Sequence, residues 1–168
     1  MKKFILTDET IEMFGVTLHR IKAVRSFGNV KEGDLGGFVE KEENISEDFE
    51  AWVSGNARVS GNARVSGDAI VSGNAKVWGD AKVWGNAIVS GDADYIVFKN
   101  WWSSGRYFTW TRSNNMWSVG CFYGTGEELI KKAYADSEKS GREYERVVKF
   151  VQSILEDEKN DNNQEKHV

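Results

Sequence analysis

The sequence predicts a mainly β protein, in which a short parallel β-helix joins an N-terminal β cap to a small C-terminal α+β domain. Valine recurs at every sixth position from residue 53 to residue 89, and alanine keeps the same period. Such a strict short period is typical of a parallel β-helix. After residue 93 the period stops, and an aromatic, β-like segment and two helical patterns follow. The predicted units are residues 1–37, the cap; 38–94, the repeats; 95–156, the α+β domain; and 157–168, a disordered tail.

Each repeat unit has a composition that suits a buried strand followed by a corner. The order is valine, serine or tryptophan, glycine, asparagine or aspartate, alanine and one variable residue. Valine is β-branched and fits a buried strand, while Gly-Asn and Gly-Asp supply corners that need unusual backbone angles. A low-complexity linker is the alternative, and the unbroken valine register argues against it.

The units VSGNAR, VSGDAI and VWGDAK resemble the hexapeptide repeat of left-handed parallel β-helix proteins. The preceding segment, RIKAVRSFGNVKEGDLGGFVEKEENIS, is similar to one in a YdcK-like subset of bacterial and prophage proteins. The resemblance covers about residues 16–95 and implies a left-handed helix with three hexapeptides in each triangular coil. Many members of the family are trimeric acyltransferases, but a repeat of this kind specifies a scaffold and not an activity.

The eighteen-residue coil that the resemblance implies places repeat side chains in columns. Arg58 shares a column with Lys76, and Arg64 shares one with Lys82. The side chains expected to form an apolar outer surface are Trp52, Ile70 and Ile88 in one column, with Trp78 above Ser60 and Trp84 above Ser66. Such a surface needs a partner in water, so we expect these residues to form a homo-oligomer interface, with a trimer favoured. The alternative is that the C-terminal domain covers them.

Two features precede the repeats. The runs KFIL and GVTLHRIKAV predict the strands of a cap, which a repeat needs because its end exposes apolar side chains and unpaired backbone groups. Residues 40–50 are strongly acidic. We interpret them as a solvated face, with mimicry of nucleic-acid charge as the alternative.

The C-terminal region predicts a β-hairpin packed by two helices. Residues 107–112 and 117–123 alternate like strands around the turn residues Asn114 and Asn115. One face of this hairpin would carry Arg106, Phe108, Trp110 and Arg112 opposite Tyr123, Cys121, Val119 and Trp117. Capping boxes that begin at Thr125 and Ser140 predict the two helices, each followed by an apolar stripe.

Charge and composition limit the partners and the compartment. The formal net charge is −4, which argues against nucleic-acid binding. A single cysteine, Cys121, permits no internal disulfide and fits a reducing compartment. The sequence predicts neither a signal peptide nor a membrane-spanning stretch. We therefore expect a cytoplasmic protein without membrane contact, and the resemblance implies that its host cell is bacterial.

Catalytic signatures are poor. Acyltransferases of the family generally use a histidine of the β-helix as general base. No histidine lies between residues 20 and 166, because His19 falls in the cap and His167 in the tail. Cys121 has no histidine nearby in sequence, and neither a proper phosphate loop nor a cluster of His and Cys ligands is evident. The sequence predicts no catalytic residue, no metal site and no cofactor.

The aromatic segment between residues 101 and 125 is the best binding candidate. Its rings could stack on a planar ligand, its arginines could neutralise phosphate or carboxylate, and its polar side chains could form hydrogen bonds. The candidate ligand-binding residues are Trp101, Trp102, Arg106, Tyr107, Trp110, Arg112, Ser113, Asn114, Asn115 and Trp117. The alternative is that these aromatic residues form the core of the domain.

These observations predict a non-enzymatic, oligomeric binding protein, and the resemblance implies a phage or prophage origin. Its partner would be a nucleotide-like small molecule or a host protein, captured to inhibit a bacterial defence system. The alternatives are an acyltransferase with an atypical base and a structural oligomerisation scaffold.

Overall fold

The computed structural model describes residues 2–165, with side chains up to residue 163. Three strands precede the repeats: β1 (Phe4–Met13), β2 (Val16–Ala23) and β3 (Leu35–Val39). The repeats contain two-residue strands, namely β4 (Trp52–Val53), β5 (Arg58–Val59), β6 (Arg64–Val65), β7 (Ile70–Val71), β8 (Lys76–Val77), β9 (Lys82–Val83) and β10 (Ile88–Val89). The C-terminal elements are β11 (Tyr95–Asn100), β12 (Arg106–Thr111), β13 (Met116–Val119), β14 (Phe122–Gly124), α1 (Gly126–Asp136) and α2 (Glu138–Glu165).

Repeat strands that are eighteen residues apart pair in parallel. β4 pairs with β7 and β7 with β10, β5 pairs with β8, and β6 pairs with β9. The expected register of the side-chain columns is therefore confirmed. Each unit turns at a glycine whose φ lies between 61° and 69°, from Gly55 to Gly85. Residues with a Cβ rarely adopt this conformation, which explains the glycine at each corner.

The predicted left-handed parallel β-helix is wrong as a description of the fold. The repeat strands belong to three separate sheets, none of which closes, and one of these sheets also contains the antiparallel strands β1, β2 and β3. Each of these sheets contains only two or three repeat strands of two residues, so the repeat strands by themselves do not form a regular helix. The largest sheet is instead completed by β3, where Phe38 pairs with Arg58. The described residues form a mixed α and β fold with parallel and antiparallel sheets and two helices.

The strands of the predicted N-terminal cap are part of this largest sheet and continue it beyond the repeats. The strand order is β1-β2-β3-β5-β8. β1 and β2 form an antiparallel hairpin whose turn residues, Phe14 and Gly15, have φ values of 53° and 78°. A two-residue turn with positive φ at both positions matches the twist of the strands that it joins. The turn leaves the Phe14 side chain 77% exposed.

Two large clusters of buried apolar side chains stabilise the fold. The first contains the repeat valines and alanines from Ala51 to Val89, all fully buried, together with Phe4 and Ile21 from the N-terminal hairpin. The second joins the C-terminal sheet to the two helices. Burial of apolar surface is the main favourable term in folding, so the valine and alanine period is explained by core packing. The predicted unit boundaries remain predictions.

The C-terminal sheet has four antiparallel strands in the order β11-β12-β13-β14, where the sequence predicted one hairpin. The predicted register of that hairpin is wrong by two residues, because Phe108 pairs with Val119 and Trp110 pairs with Trp117. A shift of two residues keeps each strand side chain on its expected face. Phe108, Trp110, Trp117 and Val119 therefore share one face as predicted, and this face is core, which was the alternative to the predicted ligand-binding role of Trp110 and Trp117.

The β12–β13 turn explains the shifted register. Asn114 Oδ1 accepts hydrogen bonds from the Thr111 hydroxyl at 2.6 Å and from the Met116 N–H at 3.2 Å. The turn is thus longer than the two residues predicted. Because β13 then ends at Val119, Cys121 lies in the next turn. It is exposed, so its predicted position on the hairpin face opposite Phe108 is wrong.

Both predicted helices are present, and one of the two predicted caps is correct. At the start of α1, Thr125 and Glu128 form a capping box, with the Thr125 N–H donating to the Glu128 carboxylate at 2.9 Å. At the start of α2, the Ser140 N–H donates to the Ser137 hydroxyl at 3.1 Å. The second capping box, predicted at Ser140, is therefore wrong, and the helix begins earlier.

Helix α2 is longer than the sequence predicted. It runs to Glu165 and includes most of residues 157–168, the expected disordered tail, of which residues 166–168 lie outside the described part. Within this extension, the Glu158 carboxylate accepts two hydrogen bonds from the Arg112 guanidinium at 2.7 and 3.0 Å. Across residues 2–165, neither helix has the length and apolar character needed to cross a membrane.

Candidate ligand-binding site

The ten residues predicted to bind a ligand do not all come together in one site. Three of them, Trp110, Asn115 and Trp117, line a cavity of about 310 Å³ that the start of α1 and one face of α2 also line. Trp110 and Trp117 are 1% and 2% exposed and belong to the C-terminal core. The Trp110 indole N–H donates to Asn115 Oδ1 at 2.8 Å, so Asn115 also supports that core. The surroundings of these residues are those of structural side chains.

Three further predicted residues connect the β12–β13 turn to its neighbours. Arg112 binds Glu158 of α2 through both guanidinium Nη atoms. The Ser113 hydroxyl accepts a hydrogen bond from the Ile88 N–H at 2.7 Å, which links the turn to the repeats. Asn114 holds the turn itself. These polar side chains therefore join the C-terminal sheet to the rest of the molecule.

The remaining four predicted residues lie at the surface in two places. Trp101 and Trp102 follow β11, with their rings in edge contact at 5.5 Å, and the Trp102 indole N–H donates to Glu143. Arg106 and Tyr107 begin β12 and line a cavity against the repeat strands. The structure thus separates two aromatic groups that the sequence had placed in one segment.

The residues predicted to form an oligomer interface also have different surroundings. Trp52 is only 6% exposed, and its ring packs against Phe4 and Phe27 at centroid distances of 6.4 and 5.4 Å. Its predicted outward position is wrong because the N-terminal residues cover it. Ile70 and Ile88 remain exposed on the β4–β7–β10 sheet. The trimer stays a prediction.

Trp78 and Trp84 occupy the serine position of their repeat units, and each contacts one aromatic neighbour. Trp78 stacks on Phe14 with ring centroids 5.6 Å apart and an interplanar angle of 24°. Trp84 contacts Tyr123 at 5.6 Å and 35°. Both indoles keep a large exposed fraction, 56% and 38%.

Three cations follow one another across the surface beside Trp84. Arg64 and Lys82 are register partners on β6 and β9, so they leave strands that are about 4.8 Å apart. The Lys82 ammonium donates to the Gly120 carbonyl at 3.1 Å. Arg106 packs over the same glycine, because a Cβ at Gly120 would lie 3.4 Å from Arg106 Cδ. We term Arg64, Lys82 and Arg106 the cationic line.

The cationic line has no acidic partner within the described residues. None of its three members takes part in an ion pair there, although the chain has 26 acidic residues and a net charge of −4. Neighbouring charges of one sign repel each other and produce a local field that attracts the opposite charge. This surface therefore favours an anion on an otherwise acidic protein.

A cavity of about 330 Å³ lies beside the first two members of the cationic line. Its aromatic walls are Phe49 and Trp84, and we name it the aromatic cavity. The hydroxyls of Ser46 and Ser66 and the carboxylate of Asp48 also line it. The cavity thus combines two flat apolar walls with cations and short polar groups.

The aromatic cavity arises because small residues lie below a large one. The Ile45–Val65 bridge and the pairing of β6 with β9 place Ser46 below Ser66, and Ser66 below Trp84. Two serine side chains leave open space under the indole. The position of Phe49, three residues after Ser46, adds the second wall.

Phe49 has a backbone conformation that bulky residues rarely adopt. Its φ is 60° and its side chain is 71% exposed; this conformation costs a residue with a Cβ about 1–2 kcal/mol. Its carbonyl accepts a hydrogen bond from the Lys3 ammonium at 3.4 Å, and the next N–H, of Glu50, donates to Asp68 at 3.4 Å. Strain of this kind persists only where the surroundings hold it.

Lys3 is the buried residue behind Phe49. Its side chain is fully buried, and its ammonium donates to the Ala51 carbonyl at 2.8 Å and lies 5.1 Å from the centre of the Phe27 ring. Burial lowers the pKa of Lys3 to about 8, and the nearby Glu47 carboxylate opposes part of this shift. Lys3 therefore connects the core of the fold to one wall of the aromatic cavity.

A second cavity, of about 360 Å³, also has Lys82 among its lining residues. Arg106 and Tyr107 line it from β12, and Asn62 and Asp80 line it from the repeat corners. These corners precede β6 and β9, whereas the aromatic cavity lies beside the residues that follow the same strands. The two cavities therefore lie at opposite ends of the β6 and β9 strands.

Comparisons with protein-family models and with curated proteins gave no match for this chain. The resemblance of its repeat units to left-handed parallel β-helix proteins therefore stays a prediction.

The sequence predicted parts of this site but not the whole. Arg64 and Lys82 were predicted to share one column and Trp84 to lie above Ser66, and the observed register agrees. Phe49 was not predicted as a site residue, because it was included in the acidic residues 40–50. The available signal was an isolated phenylalanine among acidic residues, which a solvated face does not need.

Proposed function

We propose that this protein is a non-enzymatic binding protein that captures a nucleotide-like small molecule in the aromatic cavity. The observation that carries the proposal is the combination of two exposed aromatic walls, Phe49 and Trp84, with the unpaired cations Arg64 and Lys82. A planar ring between the walls and an anionic group on the cations would satisfy both features at once.

The walls suit one flat aromatic ring. Trp84 lies two strand spacings above Ser46, which begins the loop that carries Phe49; two spacings amount to roughly 9.6 Å. Aromatic rings make contact at centroid separations of about 4.5–7 Å. Because Phe49 and Trp84 line the same cavity, we expect a ring bound in it to contact both. Stacking of a nucleobase on an aromatic side chain contributes about 1–3 kcal/mol.

The cations suit phosphate or carboxylate. A guanidinium can form two parallel hydrogen bonds to such a group, and an ammonium adds a compact charge beside it. An uncharged aromatic ligand would use the walls but leave the repulsion between Arg64 and Lys82 unrelieved. A nucleotide supplies the ring and the charge in one molecule.

Binding without turnover is supported by the lining residues. Neither histidine nor cysteine is among the residues that line the aromatic cavity. His19, on β2, has its Nδ1 3.2 Å from the Thr7 carbonyl oxygen and belongs to the N-terminal hairpin. The groups of the cavity are those that hold a ligand by stacking, charge and hydrogen bonds.

The proposal includes the bacterial cytoplasm as the place of action and a homo-oligomer, with a trimer favoured, as the acting form. The exposed Ile70 and Ile88 support an oligomer, and the resemblance to prophage proteins supports capture of a host signalling nucleotide to inhibit a defence system. Native mass spectrometry of the purified protein tests both, since we expect a trimer with an adduct of nucleotide mass. A monomer without an adduct would count against both.

Isothermal titration calorimetry with ADP, GDP and UDP tests the binding proposal directly. We expect at least one of them to bind the wild-type protein with a micromolar Kd. The matched pair of variants is Arg64→Gln and Arg58→Gln, because Arg58 has the same place in its unit but lies outside the aromatic cavity. Loss of a charge-assisted contact costs about 1.5–3 kcal/mol, so Arg64→Gln should weaken binding at least tenfold and Arg58→Gln should not. No binding of any nucleotide, or equal losses in the two variants, contradicts the proposal.

A further inference from the structure

The aromatic cavity and the second cavity share Lys82, and a mononucleotide bound in the aromatic cavity would leave the second cavity empty. We infer that the ligand is of the dinucleotide type, with two planar groups joined by a phosphate chain and one group in each cavity. This inference rests on the proposed function and extends it to a substrate class.

The position of Lys82 supports a ligand that crosses it. Lys82 lines both cavities, which lie at opposite ends of the β6 and β9 strands. Arg64 lines only the aromatic cavity, and Arg106 lines only the second cavity. A phosphate chain that leaves one cavity for the other would therefore meet a cation at its start, its middle and its end.

The number of cations also favours the longer ligand. A mononucleotide in the aromatic cavity would place its phosphates near Arg64 and Lys82 and leave Arg106 without an anion. Arg106 forms no ion pair among the described residues, although Asp80 lines the same cavity. A chain that reaches Arg106 neutralises the whole cationic line.

The second cavity has the groups needed for a second planar unit. Tyr107 is 36% exposed at its wall, and the Lys99 ammonium lies 5.3 Å from the centre of its ring. Asn62 and Asp80 are joined by a hydrogen bond of 3.2 Å at the opposite wall. An amide and a carboxylate side by side can bind the hydroxyls of a sugar or the edge of a base, while the phenol ring stacks.

Calorimetry with matched one-ring and two-ring probes tests the inference. The probes are ADP and ATP, and diadenosine polyphosphates with the same numbers of phosphates. At equal phosphate number, a two-ring probe carries less negative charge than its one-ring partner. Tighter binding of the two-ring probe is therefore evidence for the second ring and not for charge. We expect at least tenfold tighter binding, because the second ring binds intramolecularly once the first is held.

The variants Tyr107→Ala and Trp101→Ala provide the control. Tyr107→Ala should remove the two-ring advantage and leave ADP affinity unchanged, whereas Trp101→Ala, at an exposed tryptophan that lines neither cavity, should change neither. Equal affinities of the one-ring and two-ring probes, with ADP still bound, overturn this inference and leave the proposed function standing. Equal losses of ADP and two-ring binding in Tyr107→Ala also overturn it. If neither kind of probe binds, the proposed function fails, and the inference fails with it.

Discussion

Two phenylalanine–tryptophan pairs lie at the surface of this protein, one closed and one open. Phe14 and Phe49 both have positive φ values, 53° and 60°, and both are more than two-thirds exposed. The tryptophan of each pair replaces serine in its repeat unit. Phe14 and Trp78 are stacked at 5.6 Å, whereas a cavity of about 330 Å³ lies between Phe49 and Trp84.

The two pairs also differ in their electrostatic surroundings. The groove beside Trp78 has one cation and two carboxylates among its lining side chains, whereas the aromatic cavity has two cations and one carboxylate. The stacked pair leaves no room between its rings. The groove beside Trp78, of about 720 Å³, is lined by more carboxylates than cations, so it attracts an anionic ring less than the aromatic cavity does. The same two residue types therefore serve packing at one place and leave an anion-attracting opening at the other.

The supports behind the two phenylalanines explain why one pair closes. Phe14 lies in the tight β1–β2 turn, which carries its ring onto Trp78. Phe49 lies in a loop whose carbonyl is held by the buried Lys3, and only Ser46 and Ser66 lie below Trp84. The two phenylalanines thus differ in their backbone supports, and only Phe14 stacks on its tryptophan.

We expect the largest difference between the two pairs when the tryptophan of each is replaced. Trp84→Ala removes one wall of the aromatic cavity, and we expect nucleotide binding to weaken about 10- to 100-fold, since base stacking contributes about 1–3 kcal/mol. Trp78→Ala should leave binding unchanged and lower the free energy of unfolding by about 1 kcal/mol through the lost stacking on Phe14. Calorimetry and chemical denaturation measure the two effects. Equal binding losses in both variants would remove the distinction between the pairs.

We expect the stability of the protein to depend on pH through Lys3, which supports Phe49 of the open pair and has no counterpart among the described residues at the closed pair. Its pKa is about 8 in the folded protein against an ordinary value of 10.5, so the unfolded chain binds more protons between these values and stability rises with pH. The burial cost is complete below pH 8 and disappears above pH 10.5. From pH 7 to pH 9.5 we expect about 2 kcal/mol of added stability that the Lys3→Met variant lacks.

Denaturation of the wild-type protein and the Lys3→Met variant at several pH values measures this difference. The charges that act on Lys3 are Glu47, Asp48 and Asp68, which favour its protonated form, and Arg25, which disfavours it. All of them are present in both proteins. Parallel stability curves for the two proteins would show that Lys3 has no altered pKa and does not couple the core to Phe49 through its charge.

The smallest effect should come from replacing each phenylalanine by glycine. Phe49→Gly relieves the positive φ and loses no ring stacking, so we expect up to about 1 kcal/mol of added stability, together with weaker nucleotide binding. Phe14→Gly gains the same relief but loses the contact with Trp78, which is worth a similar amount, so its stability should change little. Thermal unfolding and calorimetry on this pair test the comparison. A more stable Phe14→Gly variant than Phe49→Gly variant would contradict this expected order of stability.

The sequence predicted those features that depend on local period. The eighteen-residue register, the glycine corners and the buried valines and alanines follow from the repeat unit alone. The face that carries Phe108 and Trp110 also followed, because strand alternation survives a shift of two residues. The eighteen-residue spacing thus predicted that Arg64 lies beside Lys82.

Features that depend on distant contacts were not predictable in the same way. β3 joins the repeats through the pairing of Phe38 with Arg58, and this pairing changes the fold from a repeat with a cap to a mixed sheet. Lys3 reaches the Phe49 carbonyl across 46 positions of sequence. A local pattern does not specify contacts of this kind, so the wall of the aromatic cavity was missed.

The eighteen-residue register has a consequence for how this protein can change in length during evolution. A strand finds its partner three hexapeptides away. Gain or loss of a single unit would therefore move the C-terminal elements to a different repeat sheet and break contacts such as that of Ser113 with Ile88, so viable lineages should differ by triplets. A triplet inserted between Arg64 and Lys82 would add a cation to the column and move Phe49 about 4.8 Å further from Trp84. Repeat number would then set the size of the molecule that the protein can hold, and duplication would be a direct route to a new specificity.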